Sequence, residues 1–263
     1  MTEPAIAESP HDDSPPASRA GHTLATHYQP FYNLNSGRLQ GFEALARMNP
    51  VEGVAKTPAE FFAEAEVSGR IREIDAAVLE EALAQTAIWH RDHHRPELIL
   101  SVNLSAQSVR DRLFVPVIVA TVARQNVPGD RLLVDLTTST FRELLHEGDA
   151  AFSGIRALQK REITFCLDGF RAQDVDLLGR AVEVPVDIVK LHPALVGGDA
   201  ATLTDVARAV QEAGLPVVAA GVETGEHLLR VSGLGFEWAQ GFYLGAPSAA
   251  ADALAHPTTL AAL

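Results

Sequence analysis

Short apolar runs alternate with amphipathic helical segments along most of this chain, and that alternation confines it to a few α/β architectures. Strand-like runs fall at 28–33, 39–45, 98–103, 132–137, 163–168, 186–191, 216–220 and 237–241. Between them, helical patterns fit 113–126, 149–161, 199–213 and 225–233. Thr57-Pro58-Ala59-Glu60 combines a capping box with proline at the first helical position, and Ile71, Ile74, Val78, Ala82 and Leu83 then repeat at helical spacing. Eight strands alternating with helices over about 230 residues suit a TIM-like (β/α)8 barrel, whose usual size is about 250. One junction breaks the alternation. Asn35-Ser36-Gly37 joins the first two strands with no room for a helix, which is hairpin chemistry and makes the first strand antiparallel. An open doubly wound sheet is the alternative, but no glycine-rich phosphate loop follows an early strand. The expected fold is therefore α/β, a TIM-like barrel with an antiparallel first strand.

The barrel is expected over 27–251, with tails at 1–26 and 252–263. The first 26 residues carry four prolines and almost nothing large and apolar, so they bury too little surface to offset their ordering entropy. They hold a net charge of −3 out of −13, which leaves −10 on residues 27–263. That acidity argues against nucleic-acid polymers and anionic lipid surfaces as partners. One cysteine excludes a disulfide scaffold and multi-cysteine metal sites. With no run of membrane-spanning length and no secretory signal pattern, a cytoplasmic location is expected.

The C-terminal strand ends read Glu43, Asn103, Asp135, Asp168, Lys190, Glu223 and Gln240. In such a barrel, polar groups at that rim form the active face, and buried charges there need a partner or a metal. Glu43, Asn103, Asp135 and Asp168 are oxygen donors only, the ligand type of Mg²⁺, Mn²⁺ or Ca²⁺. Lys190 and Arg47 suit phosphate oxygens, and Gln29 and Gln240 suit a nucleobase edge. A metal-bridged phosphate compound is the expected ligand, and two-metal phosphodiester hydrolysis is its enzymatic form.

Tyr28-Gln29-Pro30, Gly41-Phe42-Glu43-Ala44-Leu45-Ala46-Arg47, Ser101-Val102-Asn103-Leu104-Ser105, Val186-Asp187-Ile188-Val189-Lys190, Gly221-Val222-Glu223-Thr224 and Gln240-Gly241-Phe242 occur in one order. Over about 27–248 the chain resembles the EAL-domain family, bacterial cyclic-di-GMP phosphodiesterases and their non-catalytic relatives. The resemblance implies a first divalent metal on Glu43, Asn103 and Asp168. Asp135 stands where the family usually has the first glutamate of E-x-T-E. Lys190 and Glu223 match the hydrolytic lysine and the second glutamate of E-G-V-E. Gln29, Leu45, Arg47, Gln240 and Gly241 match positions lining the dinucleotide pocket.

The departures cluster on catalysis. Thr138 replaces the second glutamate of E-x-T-E, Gly169 the second of paired aspartates, and Ala220 the first glutamate of E-G-V-E. The Phe-Gly-Thr-Gly loop reads Phe170-Arg171-Ala172-Gln173, and His192 replaces an aspartate. A methyl or a hydrogen neither binds a cation nor accepts a proton, and loss of a general base alone costs about 10²–10⁴ in rate. The expectation is a catalytically degenerate EAL domain that keeps one metal at most, leaning away from enzyme activity. It acts as a cyclic-di-GMP receptor or, alternatively, as a protein-interaction scaffold with a vestigial site, or as a weak metal-dependent phosphodiesterase. The resemblance also brings an unidentified protein partner and a homodimer into view, although the rewritten loop belongs to the segment that couples site and dimer in the family.

Other residues stay open. His90 and His94, one turn apart beside His93, fit a solvated helix end because no third ligand is apparent. His192 is a replacement ligand, a pH-sensitive contact or a pocket filler. Cys166 shares strand parity with Asp168 and points inward as a small hydrophobe. Trp238 and Phe242 stack on a guanine or pack into the core. Arg171 meets a phosphate, fills the vacated second-metal position, or faces solvent.

Overall fold

The structure is a computed structural model that describes residues 22–50, 58–181 and 186–260. The strands are β1 (His22–Asn33), β2 (Leu39–Pro50), β3 (Ile99–Asn103), β4 (Leu132–Thr137), β5 (Thr164–Phe170), β6 (Ile188–Leu191), β7 (Val217–Ala219), β8 (Trp238–Gln240) and β9 (Ser248–Ala249). Consecutive strands β2 to β8 pair in parallel, and β1 closes the ring by pairing antiparallel with both β2 and β8. The result is the closed eight-stranded barrel with an antiparallel first strand that the Asn35-Ser36-Gly37 turn implies, with β9 appended to β1.

Strand alternation builds two cores. Leu100, Val102, Val134, Leu136, Phe165, Leu167, Val189 and Leu191 point outward into the main core, against helices such as Ile71–Arg91, Phe114–Gln125 and Ala200–Glu212. Leu133, Cys166, Ile188 and Val218 point inward and pack with Ile99 and Trp238 along the barrel axis. Helices at 114–125, 200–212 and 225–233 match the helical periodicity closely. The expected 149–161 helix divides into a 3-10 turn, Asp149–Phe152, and the helix Ser153–Gln159. The helix Pro58–Ser68 has Pro58 first and Glu60 in its first turn, while Thr57 of the capping box lies outside the described residues.

The expected boundaries are too narrow at both ends. β1 starts at His22, not 27, because residues 22–27 pair with 45–50. These six pairs lie beyond Ala44, the last β2 residue paired to β3, so the hairpin rises above the barrel rim by about 20 Å at 3.4 Å per residue. Glu43 therefore marks where β2 leaves the barrel rather than where the strand ends. At the other end, residues 252–260 belong to the fold. Ala253 is buried in the helix Ala250–Ala253, and Thr258 and Leu260 exchange backbone hydrogen bonds with Leu39 and Gly37 across the β1–β2 turn. The buried Tyr32 hydroxyl donates to the Pro257 carbonyl at 2.9 Å, which gives a core phenol its partner. Residues 1–21 and 261–263 lie outside the described residues.

Candidate functional site

The parity that sends Leu133, Cys166 and Ile188 inward also turns Asp135, Asp168 and Lys190 inward, two residues further up each strand. An apolar lower lumen thus carries a polar layer at the C-terminal face. Asn103 Nδ2 donates to Glu43 Oε1 at 2.8 Å, and Gln240 Nε2 donates to Glu43 Oε2 at 2.8 Å and to Gln29 Oε1 at 3.2 Å. Gln29 Nε2 in turn donates to the Gly245 carbonyl at 3.1 Å. Lys190 Nζ lies 2.5 Å from Asp135 Oδ2, 3.4 Å from Glu43 Oε2 and 3.8 Å from Asp168 Oδ1. Ser101 Oγ donates to Asp135 Oδ2 at 2.7 Å, and the Gly169 N–H donates to Asp168 Oδ1 at 2.7 Å. Asp135 Oδ1 is buried without a partner.

One ammonium cannot neutralise three carboxylates, and the ionisation equilibria reflect this. Burial opposes the Lys190 charge, yet Asp135, Asp168 and Glu43 together hold its pKa well above the ordinary value. Burial also pushes Glu43 upward, but Lys190 and the bonds from Asn103 and Gln240 bring it below the usual carboxylate value. Asp135 is the deepest acid. Burial, against the pull of Lys190 and with Glu43 and Asp168 adding to it, pushes its pKa up to about 7. Asp168 is raised for the same reasons, burial first.

The expected site residues fall into two cavities and a floor. Gln29, Glu43, Asp168, Lys190, Glu223, Gln240 and Gly241 line one open cleft of ≈ 690 Å³, together with Ala220 and Pro193. Leu45, Arg47 and Asn103 line a second, ≈ 930 Å³, between the raised hairpin and the helices at 58–68 and 71–91. Asp135 lines neither and sits beneath, engaged by Lys190 and Ser101. Among the described residues no three of His, Cys, Asp and Glu form a ready metal cage, because Glu43, Asp135 and Asp168 converge on Lys190 Nζ instead. Gly241 is needed for close approach: a Cβ there would lie 2.2 Å from the Val222 carbonyl oxygen.

The departures from the family pattern also have definite places. Ala220 forms part of the first cleft's wall. Gly169 has φ +73°, a conformation that side chains other than glycine's disfavour, at the point where the β5–β6 register shifts. Thr138 opens the helix Thr138–Glu147, capped by Thr137. His192 Nδ1 accepts from the Ala194 N–H, and Arg171 Nη2 lies 2.5 Å from His192 Nε2.

Cys166 is buried, and burial raises its thiol well above the ordinary value. His93 and His94 are exposed, and His90 Nε2 bonds to the Leu98 carbonyl, as a helix end would have them. Trp238 and Phe242 part company: Trp238 packs into the lumen cluster, whereas Phe242 is 66% exposed on the cleft. Sequence reasoning missed Ser101, Pro193 and the Gly245 carbonyl. Ser101 was findable, since it precedes Asn103 by two and shares its inward parity. The other two are set by loop paths.

The EAL domain family model matches residues 15–247. A cyclic di-GMP phosphodiesterase, PdeB, of Shewanella oneidensis is 29% identical over 85% of this chain and 26% of its own length. The bifunctional diguanylate cyclase/cyclic di-GMP phosphodiesterase MucR of Pseudomonas aeruginosa is 28% identical over 88% of this chain and 34% of its own length. A solved PaMucR phosphodiesterase in complex with c-di-GMP superposes with a TM-score of 0.77 at 26% identity, covering 87% of this chain and 93% of that one. The chain spans about a quarter to a third of the length of the curated relatives it matches. Among the described residues no helix is long and apolar enough to cross a membrane. With its barrel, its rim chemistry and a family match over most of its length, the chain belongs to the EAL domain family.

Proposed function

We propose that this domain binds cyclic-di-GMP at its rim without hydrolysing it, as a signalling receptor. The observation that carries this reading is Ala220. It contributes a methyl to the wall of the cleft that also holds Asp168, Lys190 and Glu223, so a proton acceptor is missing while the cleft remains. The relatives supply the ligand class: PdeB is named for cyclic di-GMP hydrolysis, and PaMucR was solved with c-di-GMP bound.

Both cavities open at the C-terminal face of the barrel, the side on which this fold places its ligand sites. A two-lobed nucleotide lying across them meets Arg47 on one side and Lys190 on the other. Arg47 offers a planar fork to a phosphate, and Gln29 and Gln240 offer amides to a base edge.

EAL domains generally depend on a divalent metal, and although the described residues form no ready cage, their donor chemistry suits one such ion. The donors are oxygen only, Asp135 Oδ1 is buried without a partner, and Glu43, Asp135 and Asp168 against Lys190 leave a formal charge of −2. Glu43, Asn103 and Asp168 would hold Mg²⁺ or Mn²⁺, with Ca²⁺ a third candidate, and the ion would neutralise phosphate charge. A second ion lacks its carboxylates at Thr138, Gly169 and Ala220.

Calorimetric titration with cyclic-di-GMP, with and without Mg²⁺ or Mn²⁺, combined with an assay for linear dinucleotide, tests the reading. Binding without product is the expected result. Product at ordinary turnover would make the domain a phosphodiesterase. No binding at high micromolar nucleotide would favour the scaffold reading, for which one observation speaks. The rewritten loop at 169–173 runs into the 3-10 turn Ala172–Leu177, where buried Asp174 accepts from Arg171 N and Arg142 Nη2, both at 3.0 Å, and Val175 is left exposed.

A further inference from the structure

Arg171 and His192 meet at the rim in a contact that neither can satisfy alone. His192 caps the short helix Pro193–Val196, and its Nδ1 accepts from the Ala194 N–H at 3.1 Å. A neutral imidazole carries one proton, so a ring that accepts at Nδ1 must carry its hydrogen on Nε2. Arg171 Nη2, which is only ever a donor, lies 2.5 Å from that Nε2. Placing the proton on Nδ1 instead moves the conflict to the Ala194 N–H. In either tautomer one nitrogen faces a second donor. A protonated ring would place two cations in contact.

The surroundings indicate what relieves this. Arg171 lies three residues beyond Asp168 and His192 two beyond Lys190, on adjacent strand ends. Arg171 is exposed and His192 half-buried, so the guanidinium is free to turn toward solvent. Asp168 is the acid whose charge reaches His192, and its Oδ1 accepts from the Gly169 N–H rather than from Arg171 or His192. The sequence has at the same time lost a family aspartate at 192 and another at 169. This part of the rim has exchanged anionic groups for two N–H donors aimed at one point.

We propose that Arg171 and His192 form an anion seat in which one phosphate oxygen accepts from Arg171 Nη2 and His192 Nε2 together, taking over charge neutralisation that a second metal ion would provide. The oxygen belongs to a phosphodiester of the bound dinucleotide, so the seat deepens the receptor reading and rests on it. Free phosphate offers the same oxygens.

Two measurements on the full chain separate the seat from that reading. Cyclic-di-GMP is titrated with chelator present into the parent chain, Arg171→Ala and His192→Asp. The aspartate keeps a good helix cap but turns the Nε2 donor into an acceptor. Each variant is expected to lose about tenfold to a hundredfold in affinity, as hydrogen bonds to a charged group require. Parent and variants binding equally would overturn the seat while sparing the receptor. In parallel, the His192 ring nitrogens are followed by ¹⁵N NMR during titration with inorganic phosphate. The expected result is an Nε2–H tautomer whose signals shift in the parent chain and not in Arg171→Ala. If cyclic-di-GMP binds the parent chain neither with chelator nor with Mg²⁺, the receptor reading falls. The phosphate arm then decides the seat: an Arg171-dependent shift supports an anion site for free phosphate, and unmoved ring signals overturn it.

Discussion

Asn103 Nδ2 donates to Glu43 Oε1 at 2.8 Å, and this hydrogen bond is the partition between two cavities, Glu43 facing one and Asn103 the other. The two groups come from β3 and β2 at the level where β2 leaves the barrel. A nucleotide with two equivalent halves can use both sides of such a partition, whereas a mononucleotide can use only one.

Arg47 lies on the far side, on the hairpin above the rim, where its Nη1 donates to the Ala46 carbonyl. Arg47→Ala is therefore expected to weaken cyclic-di-GMP binding by about tenfold or more, the worth of a charge-assisted hydrogen bond. GMP, confined to the first cleft, should bind parent and variant alike. Calorimetry with both nucleotides checks this, and an Arg47→Ala variant that keeps full cyclic-di-GMP affinity would show that the second cavity is not used.

Lys190 is 4% exposed and holds three carboxylates together. Removing one partner from a buried ion pair costs about 3–5 kcal/mol, since the remaining charges stay buried and unpaired. Lys190→Met should lower the urea midpoint accordingly. Millimolar Mg²⁺ should restore part of the loss, because a divalent ion binds the same oxygens only when folded. Equal stability of parent and variant would mean that the carboxylates are solvated independently of Lys190.

Which parts of this site were readable in the chain follows from the range of the interactions involved. The inward set of Asp135, Asp168 and Lys190 follows from local parity, which needs only strand boundaries correct to within a residue. The antiparallel first strand follows from a turn of three residues. The division into two cavities does not. It depends on residues 22–27, of which His22-Thr23-Leu24-Ala25-Thr26 reads as tail until residues 46–50 supply its pairing. The strap at 257–260 is likewise invisible locally, since its acceptor role serves Tyr32, 225 residues away. The clash between Arg171 and His192 lies between those extremes. Both substitutions were visible, but their contact needs the β5 and β6 ends side by side.

Restoring the family carboxylates should expose a difference between the two positions. Gly169 has φ +73° with open space around it, so Gly169→Asp meets backbone strain rather than a clash. Left-handed backbone costs about 1–2 kcal/mol in residues other than glycine, somewhat less for aspartate. Ala220 is half-buried on the wall of an open cleft, so Ala220→Glu should fold with little loss. Neither variant alone should yield linear dinucleotide, as each leaves the other carboxylate missing. Denaturant titration and a product assay read both effects; turnover from Ala220→Glu alone would show that one carboxylate was all that hydrolysis lacked.

Asp75, on the helix Ile71–Arg91 beside the second cavity, offers a test at a distance from the rim acids. It accepts from the Ser105 N–H at 2.9 Å and the Ser108 hydroxyl at 2.7 Å, both at Oδ2. Burial raises its pKa, and those hydrogen bonds only partly offset the rise. A carboxyl raised in this way binds its proton more tightly folded than unfolded. Its favourable contribution is therefore complete below the unfolded value of about 3.9 and is lost as pH rises through the folded one. Asparagine keeps an acceptor oxygen for both bonds without burying a charge. Asp75→Asn should accordingly be more stable than the parent chain at pH 8, with the difference shrinking as both are acidified toward pH 4. Urea titrations at several pH values measure it, and a variant less stable at pH 8 would mean that the carboxylate charge itself holds the Ser105–Ser108 turn against the helix.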